Sequence, residues 1–222
     1  FDDVVGDAIM PHAKKYFANI LLLYAPKILK LAEQITEMGL EIKVICPDHG
    51  IIWRKDPAKI INAYVEWSRQ APAQKAVVIY DTMWKSTKQM AEAISDGIAE
   101  TGVAVIPVHV RSSHRSEIMT EVLDAKAIVV GSPTLNNGLF PAVSDVLTYM
   151  KGLRPQNKIG AAFGSYGWSG ESVKLIHAEL EAMKFDMIDG GLKIQYVPDN
   201  KGLSACREYG RKIGQAVLGQ AA

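Results

Sequence analysis

Ala76-Val-Val-Ile-Tyr80, running into Asp81-Thr-Met-Trp-Lys-Ser-Thr87 and then the periodic stretch Lys88 to Glu100, is the passage that decides the fold. Five consecutive apolar residues without alternation describe a strand buried on both faces. A polar turn and an amphipathic helix after it form the first half of a parallel crossover. The same unit recurs to the end of the chain. Strands are expected at Val103 to Val110, Ala127-Ile-Val-Val-Gly131, Ile159-Gly-Ala-Ala-Phe163 and Leu192 to Val197. Helices are expected at Ser116 to Asp124, Pro141 to Gly152, Ser172 to Phe185 and Ser204 to Leu218. Such alternation predicts an α/β fold with a five-stranded parallel sheet covered on both sides. Right-handed crossovers leave the doubly wound order 2-1-3-4-5 as the best fit.

Upstream the texture changes. Tyr16 to Met38 reads as two helical stretches broken near Pro26, with Gly39 as a stop. Leu40-Glu-Ile-Lys-Val-Ile45 alternates as a strand and leads into the turn Cys46-Pro-Asp-His-Gly50. A helix is predicted from Pro57 to Gln70, with Asp56 as N-cap and Ile60, Ile61, Tyr64 and Trp67 on one face. One strand and a few helices cannot close a sheet, so this segment is expected to lean on something else. Arg69-Gln-Ala-Pro-Ala-Gln74 reads as the linker, which divides the chain into residues 1–73 and 74–222.

Charge excludes some partners. Twenty-five basic residues stand against 24 acidic ones, a net charge of +1, so no global field draws nucleic acid or an anionic membrane. The longest apolar run, Ile20 to Pro26, is too short to span a bilayer. Cys46 and Cys206 lie far apart in apolar-periodic stretches, where a small buried thiol in a reducing cytoplasm is the ordinary reading. No signal peptide is expected from these residues, and the chain opens Phe1-Asp-Asp without an initiator methionine, as if cut from something longer.

In a doubly wound sheet a ligand sits beyond the carboxyl ends of the strands, where the order reverses. Three unusual loops converge there. The first offers the hydroxyls of Thr82, Ser86 and Thr87, with the backbone of Met83, Trp84 and Lys85, at a helix N-terminus that favours an anion. It has no glycine, which excludes a Walker loop or a G-x-G-x-x-G turn. Taken alone, it is equally a capped helix. The second, Gly131-Ser-Pro-Thr-Leu-Asn-Asn-Gly138, is stiffened by Pro133, and Asn136, Asn137 and Gly138 permit left-handed backbone that would turn N–H groups inward. The third, Gly164-Ser-Tyr-Gly-Trp-Ser-Gly170, combines close-approach glycines with the flat faces of Tyr166 and Trp168. A monophosphate pocket beside a polar, aromatic-flanked slot describes FMN.

These loops also carry a resemblance. Thr82 and Thr87 match the ends of the flavodoxin phosphate loop. The variant with Met83 and Trp84, together with Ser132-Pro-Thr134 and Ser165-Tyr-Gly-Trp168, resembles the flavodoxin-like domain of flavodiiron proteins (A-type flavoproteins). Tyr16-Phe-Ala-Asn-Ile20 and Asp48-His-Gly-Ile-Ile-Trp-Arg-Lys-Asp-Pro57 are similar to the end of that family's metallo-β-lactamase-like domain, so the resemblance covers essentially the whole chain. It implies that Thr82, Met83, Trp84, Lys85, Ser86 and Thr87 hold the FMN phosphate. Pro133, Thr134, Asn136, Asn137 and Gly138 would line one side of the isoalloxazine, and Ser165, Tyr166, Gly167, Trp168 and Gly170 the other. It further implies an oxidoreductase in which FMN takes electrons from a rubredoxin-like donor and passes them to a non-haem diiron centre that reduces O2 to water or NO to N2O. Family members pair head to tail, which implies a homodimer. With no fused C-x-x-C module, the donor is expected to be a separate protein.

His49 departs from a simple transfer of that scheme. Read by itself it is a loop histidine, more often a surface residue than a ligand. The resemblance matches it to the last histidine ligand of the diiron site, whose other ligands lie in an upstream H-x-E-x-D-H run and later His and Asp residues that this sequence lacks. His12 matches no ligand position, and His109, His114 and His177 fall in the flavin domain. One histidine cannot hold two irons. The centre is therefore expected only if the upstream part is supplied, as a truncation, a proteolytic cut or a separate first chain would each explain, and this polypeptide alone is not expected to reduce O2 or NO. A flavodoxin-like binding module without redox function is the alternative. A nucleotide hydrolase lacks its lysine-bearing glycine loop.

Overall fold

Six strands form the sheet in a computed structural model that describes residues 1–220. They are β1 (Ala73–Tyr80), β2 (Ala104–His109), β3 (Ala125–Gly131), β4 (Ile159–Tyr166), β5 (Asp186–Met187) and β6 (Leu192–Gln195). All pairings are parallel, and the order is β2-β1-β3-β4, with β5 and β6 both beside β4. The predicted order 2-1-3-4-5 stands. The fifth position, expected as one strand from Leu192, is shared: β5 pairs with the start of β4, and β6 pairs with its end. Between them Asp189 accepts hydrogen bonds from Gly191 N, Tyr209 Oη and Lys212 Nζ, so the break has its own polar anchor.

Register places the site. Tyr80 stands opposite His109 on one side and Gly131 on the other, Gly131 opposite Phe163, and Tyr166 opposite Gln195. The carboxyl ends of β1, β2 and β3 therefore finish level, β4 and β6 run three residues past them, and their loops share one edge.

Helices α5 (Ser86–Ala99) and α9 (Asn200–Val217) cover the face formed by Ala76, Val78, Ala127, Val129, Ala161 and Phe163. Val77, Ile79, Ile128 and Val130 are buried just as fully and, by strand alternation, point the other way. Helices α6 (Arg115–Asp124) and α8 (Glu171–Ala182) pack on β1, β3 and β4, and α7 (Pro141–Leu153) lies between them. Sequence periodicity predicts each of these helices to within a few residues.

The residues divide into two compact units, Phe1–Ala71 and a second beginning at Pro72. In the first, α1 (Asp2–Val5) and α2 (Met10–Tyr16) precede a wide and then a tight helical turn, Phe17–Leu21 and Leu22–Tyr24. Then come α3 (Ala25–Glu37), with Pro26 in its first turn, and α4 (Pro57–Arg69). Asp56 caps α4 by accepting from Lys59 N at 3.2 Å. Phe17 is fully buried against Tyr64 and Trp67, with ring centroids 5.4 and 5.5 Å away. The Asp2 carboxylate accepts from Arg54, Lys55 and Asp56 backbone N–H groups. Burial pushes its pKa up, but those bonds outweigh it and hold the group at about 2.

Two expectations fail here. Leu40 to Ile45 forms no strand among the described residues: only Ile45 pairs, with Trp53, and a strand needs a ladder to exist. Cys46, just past that bridge, is exposed, whereas Cys206 is buried in α9 and burial pushes its thiol up to about 12.

Candidate functional site

The helix after the first loop starts at Ser86, two residues earlier than periodicity suggests, with Lys85 at its N-cap in left-handed conformation (φ 69°). Ser86 and Thr87 thus lie in the first turn of α5, where N–H groups are unpaired by the helix and its dipole is positive. Both are buried. Thr87 Oγ1 lies 2.8 Å from Ser165 Oγ, joining the first loop to the third. The Thr82 hydroxyl is buried with no hydrogen-bond partner among the described residues.

The second loop is tied down from both ends. Ser132 N donates to Phe163 O at 3.2 Å, and Thr134 N to Ser165 O at 2.9 Å. Ser132 Oγ accepts from Phe140 N, where α7 begins. Ser172, in the first turn of α8, donates to Ser132 O at 2.9 Å and receives Thr134 Oγ1–H at 3.0 Å. Asn136 and Asn137 are left-handed (φ 48° and 58°), as an Asn-Asn-Gly turn requires. The N–H groups of Leu135 and Gly138, however, donate to each other's carbonyls rather than inward.

In the third loop Gly170 caps α8 at φ 77°, and a Cβ there would come within 3.0 Å of the Tyr166 ring. A fourth loop, after β6, was missed by sequence reasoning. Tyr196 N donates to Tyr166 O at 2.7 Å, Gln195 Nε2 donates to Gly167 O at 2.9 Å, and Lys193 Nζ stands 5.8 Å from the Tyr166 ring centre. Tyr196 is itself left-handed (φ 60°) and 66% exposed. Nothing in Gln-Tyr-Val-Pro marks it, since the residues read as the end of a strand.

A cleft of about 280 Å³ opens between these loops, lined by Met83, Trp84, Ser86, Pro133, Thr134, Ser165, Tyr166, Gly167, Tyr196 and Val197. Of the residues expected to line it, Thr82, Lys85, Thr87, Asn136, Asn137, Gly138, Trp168 and Gly170 are not on its wall. The Thr82 hydroxyl is buried, Thr87 is buried in the first turn of α5 and bonded to Ser165, the Asn-Asn-Gly turn closes on itself, and Trp168 is 97% exposed. The wall contains no carboxylate. A buried hydroxyl without a partner among the described residues, in the loop that leads into the α5 N-terminus, and an open slot with Trp84, Tyr166 and Tyr196 on its wall suit a flat ring system that ends in a phosphate.

His49 lies in the first unit, exposed, with its ring 5.9 Å from that of Tyr16. With His12, Tyr16, Trp53 and Tyr64 it borders a second, mainly apolar cleft of about 280 Å³. Among the described residues no group of three or more His, Cys, Asp or Glu is placed to hold a metal ion. The residues present do not fit a diiron centre.

The sequence and fold recur among known proteins. The flavodoxin family model matches residues 78–210. A nitric oxide reductase of Moorella thermoacetica is 46% identical over 219 residues, covering 98% of this chain and 55% of that protein. The structure of rubredoxin oxygen:oxidoreductase from Desulfovibrio gigas superposes with a TM-score of 0.90 at 42% identity, over 93% of this chain and 52% of that one. A flavodiiron protein from Giardia intestinalis gives a TM-score of 0.90 at 32% identity, over 98% and 53%. The chain thus spans about half the length of the relatives it matches.

Proposed function

Because this chain belongs to the flavodoxin family and is similar along nearly its whole length to flavodiiron proteins, we propose that it is the FMN-dependent electron-transfer part of an oxidoreductase reducing O2 and/or NO. The observation that carries the reading is the meeting of four loops around one cleft, with Ser86 of the first turn of α5 on its wall and the Thr82 hydroxyl, unpartnered among the described residues, in the loop that supplies Met83 and Trp84 to it. FMN, when bound, supplies one- and two-electron redox chemistry.

The chain's own residues do the rest. Thr82, Ser86 and Thr87, with the backbone of Met83, Trp84 and Lys85, hold the phosphate. Pro133 and Thr134 form one side of the ring slot, with Asn136, Asn137 and Gly138 shaping the turn beyond them. Ser165, Tyr166 and Gly167 form the other side, with Trp168 and Gly170 completing that loop. Tyr196 and Val197 add a wall. Trp84, Tyr166, Tyr196 and Pro133 offer flat faces to the ring, while the cleft stays open enough for electrons to enter from a protein partner. A rubredoxin-like donor fits that role, and a relative from Megalodesulfovibrio gigas bears the name rubredoxin-oxygen oxidoreductase.

The first unit reads as the end of a metallo-β-lactamase-like domain, 1–73, and 74–222 as the flavin domain. Head-to-tail pairing of two copies and a cytoplasmic setting complete the proposal. No helix among the described residues is long and apolar enough to cross a membrane. His49 would serve iron only alongside donors from outside these residues, so no step is assigned to a metal.

Flavin and metal content, measured with intact mass, tests the reading. One FMN per chain and no iron is the expected result for this polypeptide, with an absorbance band near about 450 nm from the flavin. Failure to take up added FMN would overturn the proposal and leave a binding module without redox function.

A further inference from the structure

The last residue before the phosphate-loop threonine is a fully buried carboxylate, Asp81. Its Oδ1 accepts from Thr82 N at 2.7 Å and lies 3.3 Å from His109 Nε2, and its Oδ2 accepts from Arg111 Nε at 2.9 Å. Its own N–H donates to Gly131 O at 3.1 Å. A phosphate site has no direct use for such a group. A negative charge one residue from a bound dianion repels it, and the Thr82 N–H is spent on Asp81 instead of on the ligand. A buried carboxylate in that position is tolerable only with its charge compensated.

Compensation arrives from the neighbouring strand. Parallel register puts His109 opposite Tyr80, so the end of β2 lies beside the end of β1. The turn Val110–Ser112 then swings Arg111 back onto Asp81. The Arg111 guanidinium also stands 5.2 Å from the ring centre of Phe140, the residue held by Ser132 Oγ at the end of the second flavin loop. One cation therefore braces both the first loop and the second. Arg111 and His109 are absent from the cleft wall, and no part of the FMN reading uses them.

We infer that Asp81, Arg111 and His109 form a positioning unit for the FMN phosphate. Asp81 fixes the backbone of Thr82, the Arg111 guanidinium cancels the charge that would otherwise drive the phosphate away, and the His109 ring nitrogen stands at hydrogen-bond distance from the same carboxylate. The inference rests on the FMN reading above and adds residues that act through the phosphate loop without touching the ligand.

Apo-protein titrated with FMN and with riboflavin, which lacks the phosphate, separates this role from general loosening of the site. Flavin fluorescence gives both affinities, and circular dichroism shows that each variant is folded. Arg111→Met should weaken FMN binding about tenfold and riboflavin binding less than about twofold. Adding Asp81→Asn should recover most of that loss, because the amide oxygen still accepts from Thr82 N while the uncompensated charge is gone. Arg111→Lys keeps the charge with less rearrangement, and should hold the FMN-to-riboflavin ratio within about threefold of the parent. Parallel weakening of both flavins, a double variant no better than Arg111→Met, or a lysine variant as poor as the methionine one would overturn the inference alone. A parent chain that takes up no FMN would remove the FMN reading and this inference together.

Discussion

Thr82 carries a buried hydroxyl with no hydrogen-bond partner among the described residues, and such a group destabilises the fold that contains it. Replacing it by the isosteric valine should leave the apo-protein unchanged or more stable by up to about 1 kcal/mol, while weakening FMN about tenfold. Opposite signs in a denaturant titration and a binding titration are the expected signature; a loss in both would mean the hydroxyl already has a partner. Lys158 is the contrasting case. It is buried, and its ammonium donates to Leu123 O and Ala125 O at 2.9 and 2.7 Å. Burial pulls its pKa down from 10.5 to about 7, with Asp124 opposing and Lys75 and Lys126 assisting. Between those two values the folded state binds fewer protons than the unfolded one, so this group makes stability rise with pH from about 7 upward. Lys158→Met removes that slope but strands two carbonyls, at a cost of about 1–3 kcal/mol each. Urea unfolding at pH 6.5 and 9.5, taken as roughly bracketing the window, should show the larger deficit at the higher pH. An equal deficit at both would mean that Lys158 stays charged throughout.

At the scale of elements, the seam between α5 and α9 depends on the absence of side chains. A Cβ on Gly210 would stand 2.1 Å from Ile94 O, and one on Gly97 would stand 2.0 Å from Arg207 O. Backbone cannot yield as a side chain can, so Gly210→Ala should destabilise by about 2–3 kcal/mol. Gly152, in α7, has nothing within 4 Å of such a Cβ, and Gly152→Ala should instead stabilise by about 0.5–1 kcal/mol. Thermal melts of the pair check the sign of both. The contrast also shows what a sequence can disclose. Helices α5 to α9 and strands β1 to β4 were legible because buried parallel strands and amphipathic helices have different periods. The division of the fifth position was not, because Asp186–Met187 is too short to show a period. Leu40 to Ile45 shows strand alternation without a ladder partner, and pattern alone cannot supply one. The hydroxyl, proline and glycine loops announced the site through residue type. Tyr196 and the Asp81–Arg111 pair did not, since one depends on a left-handed backbone and the other on contacts about thirty residues apart.

Across the whole molecule, the groups proposed to bind FMN all lie in the second unit, and His49 lies in the first. Ligand binding stabilises only what it binds, by about 2.7 kcal/mol at a hundred times Kd. Calorimetry with excess FMN should therefore raise the transition that belongs to the flavodoxin-family unit by several degrees, about 2–8 °C for units of this size. Fe(II) should shift nothing, because one exposed histidine without two further donors nearby among the described residues gives an ion no differential hold on the folded state. If FMN instead displaced a single transition carrying the entire enthalpy, the two units would be unfolding as one cooperative body. An iron-dependent shift would be the more consequential result: it would mean that His49 finds partners in solution, and the first unit would then be a metal-binding body in its own right.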